Sequence, residues 1–237
     1  MHSNKVAIIT AASRGIGAGC ARELVARGYT VSLFARSPGV IDLAQELGGI
    51  AIQGSLNSSE DLERLVQTTL NHYQRIDAVV HSFGDPSRPD LLDITDDEWQ
   101  ENFEMLFLSV VRMTRLVTPT MQKQGGGAIV NISACDSCEP DLATPFSGTL
   151  RAAMEGFTKL YAKRYRADHI RMNAIAPFFV ADSMEELAGW NVPTDLMWQQ
   201  PVPYQEFAKT VAFLLSDDAR WITGTTLKVD EARSVCL

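Results

Sequence analysis

The chain has 237 residues, 46% of them apolar and 21% charged, enough to bury one sizeable core and sized for one α/β domain rather than two. Its 21 Lys and Arg against 29 Asp and Glu leave a formal charge of −8, which argues against a non-specific nucleic-acid binder or a polybasic membrane anchor, since both need excess cations. The longest apolar runs are short, as at residues 6–9, and the opening Met-His-Ser-Asn-Lys lacks the apolar stretch of a signal peptide, so a soluble cytoplasmic protein is expected.

Residues 5–10 (KVAIIT) read as a strand and 15–27 as a helix stopped by Gly28. A second strand follows at 30–35 and a weaker third at 50–53. Ser58 or Ser59 can cap a helix whose apolar positions Leu62, Leu65, Val66, Thr69, Leu70 and Tyr73 form one face. Residues 76–81 are strand four. Residues 95–122 read as one long helix whose Asp-Asp-Glu first turn suits the helix dipole, ended by the glycines at 125–127. Strand five follows at 128–132, a helix at 149–166, strand six at 170–175, a helix at 205–215 and a last strand at 226–229. There is no repeat, linker or low-complexity tract.

Strand–helix alternation with short connections predicts a single α/β domain over residues 1–237, a Rossmann-type doubly wound parallel sheet of about seven strands with helices on both faces. Ligands in such folds sit at the carboxyl ends of the strands, near the point where strand order reverses. That singles out residues 10–17, 81–85, 133–139 and 177–184. The first is Thr10-Ala11-Ala12-Ser13-Arg14-Gly15-Ile16-Gly17, a small-residue turn opening directly into a helix whose free N–H groups attract a pyrophosphate.

With that turn the chain resembles the short-chain dehydrogenase/reductase family, whose motif runs Thr-Gly-x-x-x-Gly-Ile-Gly. The resemblance extends through IDAVV at 76–80, GAIVNIS at 127–133, AAMEGFTK at 152–159, IRMNAIAP at 170–177 and ITGTTLKVD at 222–230. It implies a nicotinamide dinucleotide and hydride transfer between that cofactor and an alcohol or carbonyl. It also implies a tetrad: a helix Asn, a Ser after strand five, and a Tyr–Lys pair in Tyr-x-x-x-Lys. The tyrosine moves the alcohol proton, and the lysine charge lowers its pKa.

Register on AAMEGFTK puts Ser147 at the tyrosine position and Arg151 at the lysine position. Ala134 then falls at the serine position, thirteen residues before Ser147, and Leu106 at the asparagine position. All four have lost the family's chemistry. None of Tyr29, Tyr73, Tyr161, Tyr165 and Tyr204 has a lysine four residues on, so no shift of register restores it. No catalytic residue is therefore expected. Loss of a general acid–base group alone costs on the order of 10²–10⁴ in rate.

Cofactor contacts, if this chain makes any, fall to Thr10, Ser13, Arg14, Ile16, Gly17, Arg36 and Gly84. Arg14 and Arg36 stand where NADP-preferring relatives carry basic residues; two solvated surface arginines are the alternative. The family's Asp after strand three falls near Ser55. Phe83 and Phe178 stand in the motifs after strands four and six, and as two phenylalanines on one cleft they suggest that it is partly filled. Weakly bound or absent NADP(H) is the expectation.

Cys135-Asp136-Ser137-Cys138 is a C-x-x-C, but without a second pair a loop coincidence is favoured over a metal or redox role, and no metal is expected. Cys20 reads as core and Cys236 as tail, and the four cysteines do not form a disulfide framework. A lid-like segment is expected at about 178–204, with Met184, Leu187, Trp190, Met197 and Trp198 as its apolar residues.

Family subunits meet through two long helices. Here these carry Phe103, Leu106, Phe107, Val110 and Val111 on the first, and Phe157, Leu160 and Tyr161 on the second. Retained assembly helices with a lost tetrad imply a degenerate subunit whose homologous active dehydrogenase partner carries the NAD(P) chemistry in a hetero-oligomer, a tetramer by family habit. The heteromeric 2-[hydroxy(phenyl)methyl]succinyl-CoA dehydrogenase is one such assembly in the family. The alternatives are a stand-alone enzyme with repurposed chemistry, non-redox or atypical reductase, built from Ser147, Arg151, His81, Asp136 and Glu139, and an NADP(H)-binding sensor.

Overall fold

In a computed structural model, residues 5–84, 90–183, 185–187 and 201–236 are described. Seven strands, β1 (Val6–Thr10), β2 (Thr30–Ala35), β3 (Ile50–Gln53), β4 (Ala78–His81), β5 (Gly127–Ile132), β6 (Ile170–Pro177) and β7 (Thr226–Val229), form one sheet. Its order is β3-β2-β1-β4-β5-β6-β7, and every pairing is parallel. The doubly wound α/β expectation is met. Strand order reverses between β1 and β4, so a crevice opens where their carboxyl ends diverge.

Side chains alternate across the sheet, and each face carries its own helices. One face packs Ala7, Ile9, Val31 and Leu33 against α1 (Gly15–Ala26), α2 (Gly39–Leu47) and α7 (Tyr204–Leu215). The other packs Ile8, Val79, Ile129 and Met172 against α3 (Ser59–Tyr73), α5 (Ser109–Lys123) and α6 (Pro145–Tyr165). A smaller cluster of Ile94, Leu106, Phe146 and Leu150 sits where α4 (Asp96–Phe103) meets α6. No helix among the described residues is long and apolar enough to cross a membrane.

Local chemistry explains most boundaries. The Ser58 hydroxyl accepts from Asp61 N–H and starts α3. Thr95 and Glu98 form a reciprocal capping box at α4, completing what the acidic first turn suggested. The predicted long helix over 95–122 is three pieces, because a π-helical turn at Glu104–Leu108 separates α4 from α5. The expected helix at 149–166 begins earlier, with Pro145 in its first turn. Helix α2 was not foreseen; its nine residues bury only Val40, Leu43 and Ala44. In the lid-like region, Leu187 is buried and Val180 bridges Val202, while Met184, Trp190, Met197 and Trp198 lie outside the described residues.

Three of the residues expected on an assembly face are buried within the subunit. Leu106 and Val110 are fully buried in the subunit's own core, and Tyr161 packs inward with its hydroxyl against that of Thr118. Amphipathic periodicity marks a buried face without saying what buries it. Phe103, Phe107, Val111 and Phe157 stay half-buried, and Leu160 is 68% exposed.

The joint between β1 and α1 is tight. A Cβ on Gly17 would lie 2.5 Å from the Ala11 carbonyl oxygen, so the helix approaches the turn closer than any side chain allows. Ala11 itself has φ 47°, a left-handed conformation that costs alanine about 1 kcal/mol relative to glycine. Ala11→Gly is therefore expected to raise stability by up to about 1 kcal/mol, and Gly17→Ala to lower it by about 1–3 kcal/mol, both read by urea unfolding.

Candidate functional site

The crevice is built from the turns after β1 and β4, which are fastened to each other. Thr10 Oγ1 donates to the Ser82 carbonyl (2.7 Å) and accepts from the Ser82 N–H (3.0 Å). Helix α1 opens from the first turn with Arg14 as its N-cap, with no side chain capping it and no acid in its first turn. Its N-terminal N–H groups and dipole are therefore left for an anion. Arg14 is exposed, and Ser13 and Ile16 are half-buried beside it. Arg36, at the end of β2, extends its guanidinium across the crevice until Nη2 lies 3.8 Å from where a Gly84 Cβ would be. The Tyr204 ring, at the start of α7, comes within 3.6 Å of the corresponding point on Gly15. At the far edge, Ser55 N–H is bound by the Asp61 carboxylate (2.8 Å), a contact no local motif announces.

The positions aligned with the tetrad lie on the other side of the crevice. Leu106 sits in the π-helical turn, wholly enclosed by Ile94, Phe146 and Leu150 with Phe83, Trp99 and Phe103 around them. Ala134 begins the short 3₁₀ turn Cys135–Ser137 after β5. Ser147 and Arg151 lie one turn apart on α6, both buried. Arg151 is only 8% exposed; its Nη1 donates to the Ile132 and Ser133 carbonyls at the end of β5, and its guanidinium lies 5.4 Å from the centre of the Phe83 ring. A planar fork that grips two carbonyls and an aromatic face works as a brace between β5, α6 and the β4 turn.

Phe83 and Phe178, expected to fill part of one cleft, take different packing partners. Phe83 belongs to the Leu106–Phe146 cluster, whereas Phe178 meets Phe179 edge-on at 4.6 Å and lies 5.3 Å under the Arg233 guanidinium. They stand on separate elements and were drawn to different partners. Among the described residues no hydrogen bond joins Ser147, His81, Asp136 and Glu139 to one another. Sequence reasoning missed Glu155, which accepts from the hydroxyls of Ser133 and Ser137 (2.6 Å to Ser137). Neither serine precedes it at a telling spacing, because the contact is made by folding α6 over β5.

The cysteines are arranged differently from expectation. Cys138 does not act with Cys135; it is joined in a disulfide to Cys236, 98 residues away. Cys135 is a buried free thiol pushed up to about 12 by desolvation and the Asp230 charge, and Cys20 is likewise buried and pushed up to about 12. Among the described residues no three His, Cys, Asp or Glu side chains are grouped to hold a metal.

The family model described as enoyl-(acyl carrier protein) reductase matches residues 10–231. The chain belongs to the short-chain dehydrogenase/reductase family. It is 32% identical to dehydrogenase/reductase SDR family member 4 of Oryctolagus cuniculus, over 96% of this chain and 92% of that protein. It is 32% identical to the 3-oxoacyl-[acyl-carrier-protein] reductase of a Synechocystis strain, over 95% of each. Among solved structures it is similar to L-sorbose reductase from Gluconobacter frateurii in complex with NADPH and L-sorbose. That match has a TM-score of 0.89 and 25% identity, and covers 99% of this chain and 98% of that one.

His81, last residue of β4, is fully enclosed, and burial pushes its imidazole down to about 3. Unfolding returns it to its ordinary 6.5, so below that pH the unfolded chain binds a proton that the native chain refuses. Its contribution is constant above pH 6.5 and unfavourable to folding as pH falls from 6.5 towards 3. The expected loss is about 1.4 kcal/mol per pH unit in that window, and His81→Asn should remove this part of the slope in unfolding curves at pH 7 and pH 5.

Proposed function

We propose that this chain is a catalytically silent short-chain dehydrogenase/reductase subunit that supports an active NAD(P)-dependent dehydrogenase partner of the same fold in a hetero-oligomer. The observation that carries the reading is Arg151. At the position aligned with the family's lysine, the cation is bound to backbone carbonyls and an aromatic ring. It braces the scaffold where a lysine would depress a phenol's pKa. Ser147 supplies no group that titrates near neutrality, and Leu106 and Ala134 supply no polar group.

The phosphate half of a dinucleotide site is supported by the uncapped α1 terminus, the close approach at Gly17 and the Arg36 guanidinium beside Gly84. A bound NADP(H) would supply hydride; here Thr10, Ser13, Arg14, Ile16, Gly17, Arg36 and Gly84 would hold its charged end. We place that affinity low, because Ser55 offers no carboxylate to the adenine end and Phe178 lies beneath Arg233. The same Arg36 geometry favours a second reading, a sensor that holds NADP(H) without turnover.

An open groove of about 380 Å³ lined by Asp96, Trp99, Gln100, Phe103 and Leu150, together with exposed Leu160, supports a partner seated on α4 and α6. The heteromeric 2-[hydroxy(phenyl)methyl]succinyl-CoA dehydrogenase represents the class of complex intended. Native mass spectrometry of protein isolated from its own cells is expected to show a second chain of similar size that carries an intact Tyr-x-x-x-Lys. A homo-oligomer alone overturns the supporting role. The triple variant Ala134→Ser, Ser147→Tyr, Arg151→Lys is expected to show little NADPH-dependent carbonyl reduction, because Leu106, Phe83 and Phe178 remain; ready turnover would refute a cleft remodelled beyond the tetrad.

A further inference from the structure

Residues 230–236, which follow β7, fold back over the carboxyl edge of the sheet. Asp230 organises the reversal: its carboxylate accepts from Ala232 N–H (3.1 Å), Ser234 N–H (3.1 Å) and the Ser234 hydroxyl. Glu231 and Ala232 both take left-handed backbone conformations, φ 53° and 60°, which turn the chain. The returning segment then meets two of the loops at the carboxyl edge of the sheet. Arg233 covers the Phe178 ring after β6, and Val235 N–H donates to the Glu139 carboxylate after β5 (2.9 Å). Cys236 closes the contact through its disulfide to Cys138.

Besides that bond, only polar contacts hold the described end of the segment: Val235 N–H on Glu139, and Lys228 Nζ donating to the Cys236 carbonyl and to its Sγ (3.1 Å). Among the described residues of the strap the one large aliphatic side chain, Val235, is 85% exposed and anchors nothing. Cys138 is exposed and Cys236 half-buried, so the sulfurs are open to small thiols. The remaining thiol nearby, Cys135, is buried against the Ala176 carbonyl and Asp230, which withdraws it from exchange.

We infer that Cys138 and Cys236 form a thiol–disulfide switch that latches the C-terminal strap, residues 230–236, across the loops after β5 and β6. Oxidation removes two protons and two electrons from the thiols; glutathione disulfide accepts them and leaves as two glutathione thiols. Reduction runs back through a mixed disulfide: a thiolate of a dithiol reductant attacks one sulfur, the other leaves as a thiolate, and the reductant's second thiol then displaces the attacked sulfur. Unlatched, the strap keeps the Asp230 turn and the solvent-exchangeable hydrogen bonds to Glu139 and Lys228, and it opens more often, carrying Arg233 off Phe178. The inference does not depend on whether this chain turns over substrate.

The test uses the full-length protein equilibrated with glutathione disulfide or with a phosphine reductant, then treated with trypsin. Non-reducing peptide mapping is expected to show a Cys138–Cys236 cross-link in the oxidised sample alone. Cleavage after Arg233 is expected to be about tenfold slower in that sample, since proteolysis follows the population of the open strap. Cys236→Ser should be cut at the reduced rate under both conditions, while Cys135→Ser should retain the difference. A Cys135–Cys138 cross-link, free thiols at both positions after oxidation, or equal cleavage with the cross-link formed would each overturn the switch.

Discussion

The carboxyl edge of this sheet depends on how closely α1 is set against the end of β1. Gly17 lets the helix axis come down onto the Ala11 carbonyl, and Thr10 uses one hydroxyl to fasten both the N–H and the carbonyl of Ser82. Those contacts fix the spacing of β1 and β4, and the crevice opens between them. A wider joint would move the α1 terminus away from Arg36 and Gly84 together. The left-handed Ala11 shows that the joint is kept even where alanine resists it.

On the opposite wall the same economy of space has a different outcome. Arg151 is longer than a lysine and planar, so it reaches past the crevice to the ends of β5 and stacks on Phe83. Leu106, in the π-helical turn, fills volume with Phe146 and Leu150 beneath it. The wall is held by packing and by hydrogen bonds to main-chain carbonyls, groups that stabilise a subunit without moving a proton. Glu155 extends this pattern by gathering the hydroxyls of Ser133 and Ser137. Polar groups that accept no partner among themselves would destabilise so enclosed a region, and here each hydroxyl is turned to a carboxylate.

The C-terminal strap ties the end of β7 to the loops after β5 and β6. It starts from β7 at one side of the sheet and ends on the loop after β5, two strands away. Phe178 lies between, with an arginine over its face. The strap thus bears on the same loops that the doubly wound topology marks for ligands.

Strand periodicity, the small-residue turn and the cap residues already determined the sheet, its parallel sense and the crevice after β1 and β4, because those signals act over a few neighbouring residues. The family resemblance singled out Leu106, Ala134, Ser147 and Arg151 from the sequence. Local patterning missed the short α2, where three apolar contacts leave too weak a period, and it joined α4 to α5, since a π-helical turn keeps the apolar face continuous. It could not separate Leu106, Val110 and Tyr161 from an assembly surface, because periodicity tells that a face is covered and not by what. Only the tertiary structure sent Phe83 and Phe178 to different clusters, brought Glu155 to Ser133, and paired Cys138 with Cys236 instead of its near neighbour Cys135. Each of those contacts joins elements far apart in the chain, and the packing of α6 and the C-terminal strap on the sheet decides them.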